Sequence, residues 1–322
     1  MLSPLPPELT LLPPSGWGNP MMEKPKGGAG GQAGAKSAPV PSKVAPSTTT
    51  SNSMRHIQHA PSPLDLPDDS VTSHKTRLTC IVLGHVDHGK STLTGRLLYS
   101  LKYVDERTLK KYEKECGEVG KASFQFAWVC DTSEGERERG VTMEVGTKHC
   151  ETVAHKLTVL DAPGHKDFVP QVIAGLSNAD VAILVVSAKT FTDSDSGEFE
   201  RGFIRNGQTT EHCLLGKGLG INQIVVAINK MDQASDTKTG KPFSQAKYDE
   251  IVARMTPYLA KKGFNVAKKV KFVPCSGLTG ENVAKVSDDC PLKNWYKGPT
   301  LLEAIDAFGP TPKVSQGSTH TM

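Results

Sequence analysis

Gly84 to Ser91 reads GHVDHGKS, a G-x4-G-K-[ST] pattern set between the apolar run LTCIVLG and the helix-like segment KSTLTGRLLYSL. No other stretch limits the fold as much. Its glycines let the chain turn tightly and aim successive backbone N–H groups into one hollow, and a following helix adds the positive end of its dipole. A hollow of that kind holds phosphate, and the pattern carries meaning only when a strand precedes it and a helix follows. Here residues 78–83 predict the strand, and the helix is predicted to start near Lys90. Lys90 is then expected to reach the β and γ phosphates, and Ser91 to offer its hydroxyl to Mg²⁺. His85, Val86, Asp87, His88, Gly89 and Thr92 complete the expected phosphate lining, with the two histidines read as structural or exposed rather than catalytic.

The rest of the chain agrees with such a loop. KLTVLDA, ADVAILVVSA, NQIVVAINK and VKFVPCSG are short apolar runs separated by stretches of helical spacing. Strands alternating with helices predict an α/β fold, doubly wound, with a mainly parallel sheet covered on both faces. Thirteen of the 22 prolines fall before residue 77, among GGAGGQAGAKSAP and PSTTTSNS, so residues 1–75 are expected to be a disordered, low-complexity extension. Residues 310–322 read as an unstructured tail. The longest apolar runs have strand length, which predicts no transmembrane segment. Seven cysteines without a CxxC pair argue against a disulfide framework or a structural zinc site and fit a reducing compartment. The proline-broken N-terminus does not read as a secretory signal, while its scarcity of acidic residues keeps an organellar transit peptide as an alternative. A net charge of +4, spread along the chain, identifies no partner.

Which base would accompany the phosphates is set by NKMD, directly after IVVAI. An aspartate at Asp232 can accept from guanine N1–H and the 2-amino group, whereas adenine presents neither donor there. The wrong base would leave a buried acceptor unpaired, at a cost of roughly 1–3 kcal/mol or more. Asn229 is expected to contact the far side of the purine, and the Lys230 stem to lie over the ring or ribose. Ser276, Gly277 and Leu278, in PCSGLTG, are expected to close the pocket with a backbone amide to guanine O6.

DAPGHKDFVP follows another apolar run. Asp161 ends the predicted strand, where a carboxylate can reach Mg²⁺ through water, and Gly164 can offer its N–H to a γ phosphate. Both contacts vanish when that phosphate leaves, which is the physical content of a switch. His165 is then placed to orient a water in line with the γ phosphorus. In ERERGVTMEVG, Thr142 is expected to bring a second hydroxyl to Mg²⁺, and Gly140 permits the turn before it. The charged run EGERERG is read by itself as a solvated face. Val86 and Val141 are expected to form an apolar barrier between His165 and the water.

Taken together, GHVDHGKSTLTGRLLY, ERERGVTMEVG, DAPGHKDFVP, GQTTEH, NKMD and CSGLTGEN closely resemble the G domain of translational GTPases. The eukaryotic and archaeal branch fits best: elongation factor one-alpha, the class-two release factor and the HBS-type ribosome-rescue factor. KASFQFAWVCD, GVTMEVG and FVPCSGLTGEN look most like the HBS type, whereas WYKGPTLLEAID is shared with the elongation factor. The likeness covers about residues 77–309, within an expected G domain of 76–309. It implies a GTP- and GDP-binding, Mg²⁺-dependent GTPase in cytoplasmic translation, stimulated by the ribosome and monomeric, away from membranes. The expected cargo is a Pelota-like protein or an aminoacyl-tRNA. Asn206 stands where the family usually has glycine, and FTDSDSGEFERG is slightly long; the likeness fades after Phe308, short of the cargo-holding β-barrel domains the family normally carries, which implies a fragment, a shortened splice product, an incorrect gene model or a free-standing G domain. A truncated, non-catalytic GTP-binding interaction protein is therefore one alternative, an elongation factor a second, and the sulfate-activating GTPase subunit a third. The need for an exchange factor stays open.

Overall fold

The computed structural model describes residues 75–309, apart from 119, 121, 132, 191–196, 204–206 and 236–239. The expected N-terminal extension up to residue 74, the tail 310–322, Asn206 and the first half of FTDSDSGEFERG lie outside the described residues. In chain order the strands are β1 (Thr76–Leu83), β2 (Gly146–Glu151), β3 (His155–Asp161), β4 (Val181–Ser187), β5 (Ile224–Asn229) and β6 (Val270–Pro274). The helices are α1 (Lys90–Ser100), α2 (Glu106–Glu118), α3 (Glu134–Arg139), α4 (Val169–Asn178), α5 (Glu198–Phe203), α6 (Gln208–Gly218), α7 (Gln245–Lys261), α8 (Val266–Lys269) and α9 (Leu301–Asp306).

The sheet runs in the order β2-β3-β1-β4-β5-β6. Every pairing is parallel except β2 with β3, so the sheet is mainly parallel, as its apolar runs predict. β4 and β5 are buried along their whole lengths, which explains why VAILVVS and IVVAIN show no polar alternation. Successive side chains nevertheless enter different layers. Ala182, Leu184 and Val186 meet α4, α6 and α7 through Val172, Leu176, Cys213, Ile251 and Met255. Val181, Ile183 and Val185 meet α1 and α9 through Leu93, Leu97, Leu301 and Ile305. Both faces are thus covered, and the doubly wound architecture follows from the period-two geometry of the strands.

Register brings the chemistry to one edge. Val82 pairs with Asp161 and Ser187 with Asn229, so the phosphate loop, DAPGH and NKMD all leave the sheet from its carboxyl ends. Two glycines permit the close approaches behind that edge. A Cβ on Gly84, whose φ is +143°, would fall 2.3 Å from the carbonyl oxygen of Val185. One on Gly95 would fall 1.9 Å from the carbonyl oxygen of Phe126, seating α1 directly on the backbone of that segment. Gly95→Ala is therefore expected to destabilise the fold by about 1–3 kcal/mol despite the better helix propensity of alanine. Denaturant unfolding with an unchanged midpoint would refute that packing.

Candidate nucleotide-binding site

At the carboxyl edge lies a cleft of about 280 Å³. The phosphate loop lines it through Val86, Asp87 and Gly89–Thr92, the loop after α3 through Val141 and Thr142, and the loop after β3 through Gly164 and His165. Asn229, Lys230, Asp232 and Leu278 close the other end. The structure thus gathers into one cavity side chains spread over nearly two hundred residues of sequence.

Gly89 precedes α1 with φ 85°, in the left-handed region, and no side chain caps the helix; its first turn carries no acidic group. The helix therefore presents bare N–H groups and positive potential to the cleft. Lys90 is buried, and its ammonium, which burial lowers to about 8, donates to the carbonyl of His85 at 3.0 Å. Gly164 crosses directly over it: a Cβ there would lie 2.3 Å from Lys90 Nζ and 3.0 Å from the Val86 nitrogen. Bare backbone at this point lets the loop after β3 reach the phosphate loop.

The two loop histidines differ. His85 is half-buried, and burial lowers its pKa. His88 turns inward, 1% exposed, with Nδ1 3.2 Å from the Val185 carbonyl and Nε2 3.2 Å from that of Glu198. Burial pushes it down to about 3, so the neutral ring donates to one of these carbonyls at a time. His88 thus shapes the loop, and its side chain faces the core rather than the nucleotide phosphates.

At the loop's other side, the Thr142 hydroxyl stands 2.9 Å from Ser91 Oγ and donates to Asp131 Oδ1 at 3.0 Å. Asp161 lies close to Ser91, 1% exposed, and neither carboxylate oxygen has a hydrogen bond of good geometry among the described residues. Burial raises Asp161 to about 6, against the pull of the Ser91 hydroxyl and the Lys90 ammonium. Asp131 is raised to about 7 by burial and then by the charge of Asp161. Two carboxylates and two hydroxyls short of positive charge form a hard oxygen donor set, which fits Mg²⁺. Ser91, Thr142 and Asp161, the residues expected from sequence, are joined here by Asp131, which sequence reasoning missed.

Glu136 was also missed. Within the run read as a solvated face, it is buried and completes a capping box with Ser133. Its Oε1 accepts from the backbone nitrogens of Met143 at 2.9 Å and Glu144 at 3.2 Å, fixing the loop that carries Thr142. The S-x-x-E spacing at Ser133 was the available signal.

At the base end, Asp232 Oδ1 is buried and without a hydrogen-bond partner. An orphaned acceptor there suits the N1–H and 2-amino donors of guanine. Asn229, expected at the far side of the purine, lines the cleft and also has a bracing role. Its Nδ2 donates to the His88 carbonyl at 2.9 Å and its Oδ1 accepts from the Gly277 nitrogen at 2.8 Å, so both polar atoms brace one loop against another. Gly277 therefore does not supply the amide expected at guanine O6. Ser276 is fully buried, its hydroxyl accepting from the Thr279 nitrogen at 3.1 Å, and Leu278 is the member of that trio at the cleft wall. Lys230, with φ 59°, extends across the phosphate loop: its Cε lies 3.8 Å from where a Gly89 Cβ would stand.

His165 lines the cleft, as do the expected barrier residues Val86 and Val141. Its side chain is 43% exposed, and Nδ1 accepts from the Asp167 nitrogen at 3.3 Å.

Comparison with known proteins gives a consistent result. The family described as Elongation factor Tu GTP binding domain matches residues 75–311. Elongation factor 1-alpha of Desulfurococcus mucosus is 47% identical over 239 residues, covering 74% of this chain and 51% of the relative. That of Ignicoccus hospitalis is 49% identical over 236 residues, covering 73% and 50%. The chain therefore spans about half the length of these curated relatives. Among solved structures, Sup35 complexed with GMPPNP is similar at a TM-score of 0.51 and 34% identity, covering 74% of this chain and 46% of the other. The GTP-bound GTPase-like domain of S. cerevisiae Ski7 is similar at a TM-score of 0.61 and 26% identity, covering 72% and 49%.

Proposed function

Because the chain belongs to the elongation factor Tu GTP-binding domain family, we propose that it binds and hydrolyses GTP as the nucleotide switch of a translation factor acting in ribosome rescue. One observation carries the nucleotide part. The orphaned Asp232 acceptor, the uncapped start of α1 and His165 all border one cleft. The first selects guanine, the second holds phosphates, and the third addresses a water at the phosphate end.

In this reading Lys90 and the loop N–H groups neutralise the β and γ phosphates, and the Gly164 N–H detects whether the γ phosphate is present. Ser91, Thr142, Asp131 and Asp161 hold Mg²⁺, which when bound offsets charge on the phosphate oxygens. Val86 and Val141 keep water and His165 apart until the wall moves. Loss of the γ phosphate removes one contact from each of two segments, that of Thr142 through Mg²⁺ and that of the Gly164 N–H, so both loops register its departure.

Rescue rests on the likeness of KASFQFAWVCD and GVTMEVG to the HBS-type branch, with the ribosome and a Pelota-like protein as partners of a cytoplasmic monomer. The elongation reading, with aminoacyl-tRNA as cargo, is favoured by relatives named elongation factor 1-alpha at 47–49% identity. Phosphate release from the GTP-loaded protein, with and without ribosomes, tests the shared part: ribosomes are expected to accelerate it, and an unchanged rate refutes a role on the ribosome. Retention of a Pelota-like protein on the GTP-bound form is the expected result for rescue, and retention of aminoacyl-tRNA in its place would transfer the assignment to elongation.

A further inference from the structure

Glu198 begins α5 beside the base end of the cleft, and the chemistry above makes no use of it. Its side chain is only 12% exposed. Ser187 Oγ donates to Oε2 at 2.8 Å, Lys230 Nζ donates to the same oxygen at 2.6 Å, and Lys189 Nζ stands 3.4 Å from Oε1. These partners hold the carboxylate below its usual pKa against the opposing effect of burial. The backbone carbonyl of Glu198 simultaneously faces His88 Nε2 at 3.2 Å. One residue therefore touches the base-reading loop with its side chain and the phosphate loop with its main chain.

The geometry of Lys230 makes that double contact consequential. Its stem passes over Gly89 before its ammonium reaches Glu198, so the carboxylate fixes the far end of a strut laid across the phosphate loop. Lysine carries roughly 2 kcal/mol of rotamer entropy and stays in one extended conformation only when both ends are held. Its backbone end is already set by φ 59° in NKMD. Without the carboxylate, the Lys230 and Lys189 ammoniums would face one another without their common counter-charge, and both border the cleft.

We infer that Glu198 is a positioning residue for bound guanine nucleotide: by clamping Lys230 across Gly89 it couples the base-reading loop to the phosphate loop and slows nucleotide release. This rests on the guanine-nucleotide reading above. It assigns α5 a part in nucleotide retention that no phosphate or base contact requires, and it distinguishes Glu198 from an ion pair that serves folding alone.

The test is release of N-methylanthraniloyl-GDP from the full chain, compared among wild type, Glu198→Ala, Glu198→Gln, Lys230→Met and the Glu198→Ala/Lys230→Met double variant. Glu198→Ala is expected to release about tenfold faster, equivalent to about 1.4 kcal/mol. Glu198→Gln, which keeps an acceptor for Lys230 but no charge, should fall between, and it carries the test if the alanine variant does not fold. Since Lys230→Met removes the ammonium that Glu198 holds, adding Glu198→Ala should change its release rate by less than about twofold. Release at the wild-type rate in both Glu198 variants, even with a lowered melting temperature, overturns the inference, as do effects that multiply in the double variant. A wild-type chain that takes up no fluorescent GDP overturns the guanine reading and this inference together. Uptake by wild type with unaffected variants overturns this inference alone.

Discussion

Asp232→Asn is expected to turn the cleft from guanine toward xanthine nucleotides, changing their relative affinity by about 10²- to 10³-fold. Asp232 Oδ1 is a buried acceptor with no partner among the described residues, so its hydrogen-bonding capacity is available to a ligand. Guanine presents two donors on that edge. Xanthine keeps N1–H but has a carbonyl where guanine has the 2-amino group, so it would place an acceptor against the wild-type carboxylate. An asparagine supplies one acceptor and one donor, matching xanthine and mismatching guanine. Competition of GTP and XTP for the fluorescent nucleotide measures the exchange directly. A variant that loses GTP without gaining XTP would mean that Asp232 supports the loop rather than reading the base.

That prediction depends on NKMD, which could be read from sequence because its meaning is local: a strand end, a turn and a carboxylate within a few residues. The phosphate loop is legible for the same reason. The five parallel strands were also visible, since β-strands buried on both faces must be continuously apolar, as VAILVVS is. β2 was not. GTKHCE buries only Cys150 and pairs at an edge with β3, so its composition resembles that of an exposed loop, and only the long-range antiparallel register makes it a strand. The site divides along the same line. Asp131 acquires its role because the chain folds it against Thr142 and Asp161, and nothing in CDTSEG specifies that meeting. Asn229 shows the converse case: its motif is local, but the buried amide also braces His88 and Gly277, a packing role invisible in four letters of sequence.

His165→Ala is expected to lower ribosome-stimulated GTP hydrolysis by about 10²- to 10⁴-fold while altering KM little. His165 Nδ1 stands 3.3 Å from the Asp167 nitrogen, a donor that favours the tautomer with its proton on Nε2. A ring in that state can donate to a water but cannot draw a hydrogen bond from it through Nε2. The Asp167 carboxylate stands 3.3 Å from the same Nδ1. Moving Nδ1 from the backbone nitrogen to that carboxylate would place the proton on Nδ1 and make Nε2 an acceptor, oriented by its carboxylate neighbour. Activation can therefore consist of a small ring movement with a change of tautomer, past the barrier proposed for Val86 and Val141. The Asp167 carboxylate would then matter through His165: Asp167→Asn should lower the stimulated rate in the wild-type background and leave the His165→Ala rate unchanged. Single-turnover phosphate release from preloaded protein separates these steps from nucleotide binding. An undiminished stimulated rate in His165→Ala would make this histidine a solvated loop residue and would favour a GTP-binding interaction protein whose hydrolysis, if any, does not depend on it.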